Sequence, residues 1–270
     1  MQPKYTDILE KNKKGMIEMF YLMKTEWKKV RVPVLMITLL LTAVSCILTC
    51  TLDKSYRLWF RLDSWEIGTA FFALLFPLFV VIPVCWNLYY ERKNNFLLYV
   101  LPRVRQRRYL TAKWLVYALS AFSILFIPLM LSAAAALYVN QPVLYENESF
   151  SHVLMETYTQ TPLLYAFLLS MWKGMIGVLV MTLGFVLSMY VKNIFVILTG
   201  PFIYLILENF ILSILQLPKY RLVTAFEPTS MADDAITAGS MIVGPVLLVI
   251  VIIVSALYLT RIKKASVAEG

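Results

Sequence analysis

Six stretches of this sequence run almost without charge for about 20 residues or more, the length that a helix needs to cross a hydrocarbon core of roughly 30 Å. They cover 33–52, 65–90, 114–139, 162–191, 194–217 and 241–260. In lipid, backbone N–H and C=O groups have to be satisfied within the segment, so each stretch is expected to be helical. Only 15% of the residues are charged, against about a quarter in a soluble domain. The expected fold is therefore an all-α integral membrane protein with six transmembrane helices. The chain divides into an N-terminal segment (1–32), one membrane domain (33–260) and a short tail (261–270). The first 14 residues are polar and do not read as a cleavable leader, so the first span is expected to drive insertion.

Lysine and arginine set the expected orientation. Eight precede the first span, seven lie between spans two and three, one follows span four and three follow span six. The opposite side has five, and Lys173 lies within span four. A bias near four to one toward one face places the N- and C-termini in the cytoplasm of a plasma-membrane protein. It also accounts for the net charge of +9 without a nucleic-acid partner. Tryptophan and tyrosine near the span ends, such as Trp86, Tyr90, Trp114 and Trp172, sit where interfacial rings are favoured. Cys46, Cys50 and Cys85 all fall in apolar runs and read as packing residues.

Ahead of span one, Met16, Met19, Phe20, Met23, Trp27 and Val30 recur at helical spacing, with Glu18, Lys24, Glu26, Lys28, Lys29 and Arg31 between them. Such a stretch is expected to lie in the inner interface against anionic lipid. It serves either as a plain anchor or as an elbow that bends into span one at Pro33.

The segment 91–113 has more pattern than a connector requires. Phe96, Leu97, Val100 and Leu101 form a short apolar face, Pro102 stops it, and Arg103, Arg105, Arg107 and Arg108 follow. A short helix with an apolar face on the cytoplasmic side suits a groove on a partner. The plainer reading is a basic loop that only enforces topology.

Taken in order, Glu91-Arg92, an apolar patch, Leu101-Pro102, a basic cluster and Lys113 resemble the permeases of type-2 ATP-binding-cassette (ABC) exporters. Asn94 and Asn95 stand in place of the usual Gly-Thr pair, and Val104 replaces a serine. The resemblance extends to the amphipathic first helix, the six spans and the long outer loop before the last span. It implies that Glu91, Arg92, Phe96, Leu97, Leu101, Pro102, Arg103, Arg105, Tyr109 and Lys113 belong to a coupling helix and its stems. That helix would dock on a separate cytoplasmic ATPase. The chain has no G-x-x-x-x-G-K-[ST] loop, so ATP and Mg²⁺ are expected on that partner and the chain is not itself expected to be an enzyme. The resemblance further implies two ATPases and a second permease, identical or similar. The cargo would be hydrophobic or amphipathic (a peptide, an antibiotic or a lipid) in an export or immunity system. A non-transporting sensor or assembly subunit that binds a cytoplasmic regulator is the alternative.

Two ionisable residues lie inside spans. Glu208 and Lys173 sit about 24 Å and about 28 Å above the turn at Lys192, at 1.5 Å per residue. Similar depth on adjacent helices allows an ion pair near the outer leaflet, or two side chains that snorkel separately. The only histidine, His152, has no cysteine or paired carboxylates near it, and no metal site is expected.

Overall fold

A computed structural model describes residues 3–94, 105–140, 144, 155–230 and 238–268. Their helices are α1 (Pro3–Thr51), α2 (Asp63–Thr69), α3 (Phe72–Lys93) and α4 (Gln106–Ala134), which ends in a π-helical turn, Ala135–Val139. There follow α5 (Met155–Gln160), α6 (Pro162–Tyr190), α7 (Ile194–Ile214), α8 (Leu222–Phe226) and α9 (Ala238–Ala268). Six are long and apolar enough to cross a membrane, and they coincide with the six apolar runs. The protein is an all-α bundle of the membrane type.

α3 and α6 form the middle of the bundle, with half of their most apolar windows buried, against 17% for α9. α4 packs between α1 and α6, while α7 lies on α3 and α9 lies on α6 and α8. Val80, Val81 and Val84 of α3 meet Ala121, Ile124 and Leu125 of α4 and Ile176, Val180 and Met181 of α6 in one apolar core. Beta-branched and small residues suit this contact, because they let helix backbones approach closely.

α1 attaches through a narrow stripe. Glu26, Val30, Val34, Thr38, Leu41, Ser45 and Thr49 are its buried positions over 18–51, and their spacing of three and four keeps them on one face. That stripe continues past Pro33, which lies inside the helix. The amphipathic stretch is thus helical, as expected, and runs unbroken into span one. A proline inside a membrane helix forfeits one backbone bond, which such bundles tolerate, and packing on both sides of it keeps α1 whole. Span two divides instead: Trp65 belongs to α2, and α3 begins only at Phe72. At this corner, a Cβ on Gly68 would fall 2.6 Å from the Thr49 Cα, so only glycine admits α2 so close to α1.

At the end remote from the basic segments, the chain folds back into the bundle. Gln216 adopts φ 57°, and the Leu217 amide donates to the Leu212 carbonyl at 2.9 Å, which closes α7 in a left-handed cap of the kind glycine usually supplies. The chain then re-enters as α8, with Leu222, Ala225 and Phe226 buried. Phe226 stacks on Phe76 of α3 at 4.2 Å, and the Trp172 indole donates to the Ala225 carbonyl at 2.9 Å.

Candidate functional site

The last turn of α3, the first turns of α4 and the middle of α1 converge at the basic end of the bundle. Each supplies charge. α4 carries Tyr109 and Lys113 one turn apart on its inner face, α1 carries Glu26 and Lys29, and α3 carries Glu91. The Lys29 ammonium lies 2.5 Å from Glu26 Oε1 and 2.8 Å from Glu91 Oε1. The Lys113 ammonium lies 3.0 Å from Glu26 Oε2 and also contacts Glu91 Oε2. The Tyr109 hydroxyl stands 2.9 Å from Glu91 Oε2 and 3.3 Å from Glu26 Oε1. Lys113 is 0% exposed, and Glu26, Glu91 and Tyr109 are buried.

Two carboxylates and two ammonium groups make the cluster neutral, which is the condition under which buried charge is tolerated. The Lys113 ammonium also lies 5.5 Å and 5.6 Å from the ring centres of Tyr109 and Tyr117, close enough for a cation–π attraction. The cluster fixes the two stems of the segment 94–105 to each other and to α1. Arg108 of α4 adds an exposed contact of 3.3 Å to Glu18 of α1. Arg92 turns the other way and donates to the Val191 carbonyl, which ties the α3 stem to the turn before α7.

Of the sequence-derived coupling residues, Glu91, Tyr109 and Lys113 are thus brought together, Arg92 sits beside them, and Arg105 is exposed at the N-cap of α4. Phe96, Leu97, Leu101, Pro102 and Arg103 lie outside the described residues. In the amphipathic stretch, Phe20 is 71% exposed, Trp27 is also exposed and Met23 is half-buried against the core. The buried face instead contains Glu26, which sequence periodicity had grouped with the polar side. The signal that would have found Glu26 is its register, four residues before Val30 and eight before Val34, in the stripe that packs on α4.

The expected Lys173–Glu208 pair does not form. Lys173 is fully buried and bonds Glu227, just after α8, at 2.5 Å. Its ammonium lies 5.5 Å from the Trp65 ring and 5.3 Å from the Phe226 ring. Glu208 accepts the Leu222 amide at 2.9 Å, satisfying a donor left over at the start of α8. Re-entry of the chain delivers a carboxylate to Lys173 from a segment that reads as loop. Nearby, Asp63 accepts from the amides of Trp59 and Phe60 at 2.8 Å and 2.9 Å and from the Tyr158 hydroxyl. Burial, with the Glu66 and Asp63 carboxylates beside it, pushes the Tyr158 phenol well above its usual range, so it remains a proton donor to Asp63.

An apolar groove of about 840 Å³ opens between α1, α3 and α7, walled by Ile37, Leu40, Phe79, Ile82, Trp86 and Leu198 among others. Comparison of the chain with protein-family models, curated proteins and solved structures gave no match.

Proposed function

We propose that this chain is the membrane-spanning subunit of an ATP-driven exporter of the type-2 ABC kind, with both termini in the cytoplasm. The observation that carries the reading is the buried ion network at the roots of segment 94–105. A segment that takes force from a moving partner needs stems that cannot flex independently of the spans. Glu91, Tyr109 and Lys113, fastened to Glu26 and Lys29, meet that need. A loop present only for its positive charge would need no buried partners at its roots.

On this reading, two ATPase subunits bind ATP and Mg²⁺, close, and push on segment 94–105 of two permease chains. The network passes that displacement to α1, α3 and α4 together. The groove between α1, α3 and α7 is half of a cavity that a second permease completes. Its apolar walls suit a hydrophobic or amphipathic cargo such as a peptide, antibiotic or lipid.

Affinity purification of the tagged chain from its native membrane in mild detergent tests this directly. The expected result is an ATPase bearing a G-x-x-x-x-G-K-[ST] loop at equal stoichiometry, lost when Leu97→Glu is introduced. Recovery of the chain without any such ATPase would count against the exporter.

A further inference from the structure

At the basic end, the tip of α3 and the turn between α6 and α7 enclose a second, smaller pocket of about 390 Å³. Tyr89, Arg92, Lys93, Tyr190 and Lys192 line it, giving three cations, two phenols and no carboxylate among the described residues. One guanidinium nitrogen of Arg92 bonds the Val191 carbonyl, but the other, Nη1, is buried and has no partner among the described residues. A buried donor without an acceptor is costly, and a guanidinium matches phosphate oxygens in charge and geometry. Arg92 and Lys93 both stand 6.0 Å from the Tyr89 ring centre, which holds the two cations around one point.

The same two elements wall the large apolar groove. Tyr90 and Ile194 line the groove, one residue along from Tyr89 and two from Lys192. Trp86 and Tyr90, packed edge to face at 5.8 Å, stand at the junction, where amphipathic rings mark headgroup depth. A soluble anion would use only the pocket. A molecule with an anionic head and acyl chains uses both.

We infer that the Arg92–Lys93–Lys192 pocket and the adjoining α1–α3–α7 groove bind one anionic phospholipid as a resident ligand, with its phosphate on the three cations and an acyl chain along the groove. Basic pockets between membrane helices favour such headgroups through charge added to apolar burial. This site needs no ATPase and its test uses this chain alone, so it succeeds or fails whether or not the exporter reading holds; in that reading, cargo and lipid share the groove.

Native mass spectrometry of the delipidated full-length chain tests the site, with phosphatidylglycerol and phosphatidylcholine of identical acyl chains as probes. Phosphatidylglycerol is expected to be retained preferentially. Lys192→Gln, an exposed change in the turn, is expected to lower that retention about fivefold, the effect of one basic residue near an anionic lipid. Arg92→Gln should abolish the preference, and Ile82→Trp, which fills the groove, should reduce retention of both lipids. The matched charge removals Lys28→Gln and Arg31→Gln, on the exposed side of α1, should have little effect. Equal retention of the two lipids would overturn the proposal. So would a loss with Lys28→Gln and Arg31→Gln as large as with Lys192→Gln, since that marks diffuse attraction. Full displacement by glycerol 3-phosphate would assign the pocket to a free phosphate, and a dimer that retains no lipid would assign the groove to a second copy; either result overturns the site as drawn.

Discussion

Replacing Lys113 with methionine is expected to cause the largest single loss of stability in the molecule. The substitution keeps the length and apolar stem of the side chain, so packing changes little, but two buried carboxylates then share Lys29 as their one cation among the described residues, beside the neutral Tyr109 hydroxyl. Lys29 is the most exposed member of the set, and it cannot fully compensate both. Breaking a buried pair from one side typically costs about 3–5 kcal/mol. A drop of that size is expected in the stability of the detergent-solubilised protein, followed by thermal unfolding. The quadruple variant Glu26→Gln, Lys29→Met, Glu91→Gln, Lys113→Met should recover most of it, because exchanging a whole buried ion cluster for neutral groups is often close to neutral. If the single change is silent, the network does not hold the stems together. If the quadruple variant is stable yet fails in transport, the charges serve coupling beyond stability.

The second large effect is expected at the opposite end. Lys173→Met leaves Glu227 buried with the Thr229 hydroxyl, at 3.1 Å, as its remaining side-chain donor among the described residues, and the cation that neutralised it is gone. A cost of about 3 kcal/mol is expected, concentrated in 218–230, where hydrogen exchange should speed up well before the bundle opens. The pairing makes a sharper test possible. Lys173→Glu combined with Glu227→Lys should restore much of the protection, whereas Lys173→Glu combined with Glu208→Lys should not. Rescue by position 208 instead would contradict the observed geometry. Glu208→Ala is a separate lesion, because it strips the acceptor from the Leu222 amide rather than the partner from Lys173.

The contrast between those two carboxylates shows what a linear reading of this chain can and cannot reach. The six spans were legible because apolar run length is a local property that lipid thickness turns into a structural rule. The place of Lys173 within the fourth span was legible for the same reason. Its partner was not, because Glu227 comes close only after the chain reverses at Gln216 and re-enters as α8. A glycine at position 216 would have signalled that reversal. With glutamine there, the apolar run read on to Leu217, three residues past the observed end of α7.

Glu26 illustrates the other limit. Between charged neighbours, its hydropathy placed it with the headgroup-facing side of an interfacial helix. Its burial follows from three residues on other helices, Glu91, Tyr109 and Lys113, which together make a polar socket for it. Of that socket, Glu91, Tyr109 and Lys113 were singled out through a resemblance in the segment 91–113, while Glu26 and Lys29 emerge only from the fold. The groove also emerges only from the fold, which brings α1, α3 and α7 together as its walls.

The central claim is that motion of segment 94–105 reaches the far end of the bundle through these stems. It is tested most directly by the labelling rate of a single cysteine placed by Tyr220→Cys, with Cys46, Cys50 and Cys85 replaced by alanine, in complex with the proposed ATPase partner. A membrane-impermeant maleimide should label this site at rates that change several-fold between the ATP-free and ATP-bound, hydrolysis-blocked states. The change should vanish when 94–105 is replaced by a Gly/Ser linker of equal length. A labelling rate that ignores nucleotide in the wild-type segment, or one that still responds when the linker is present, would contradict the account.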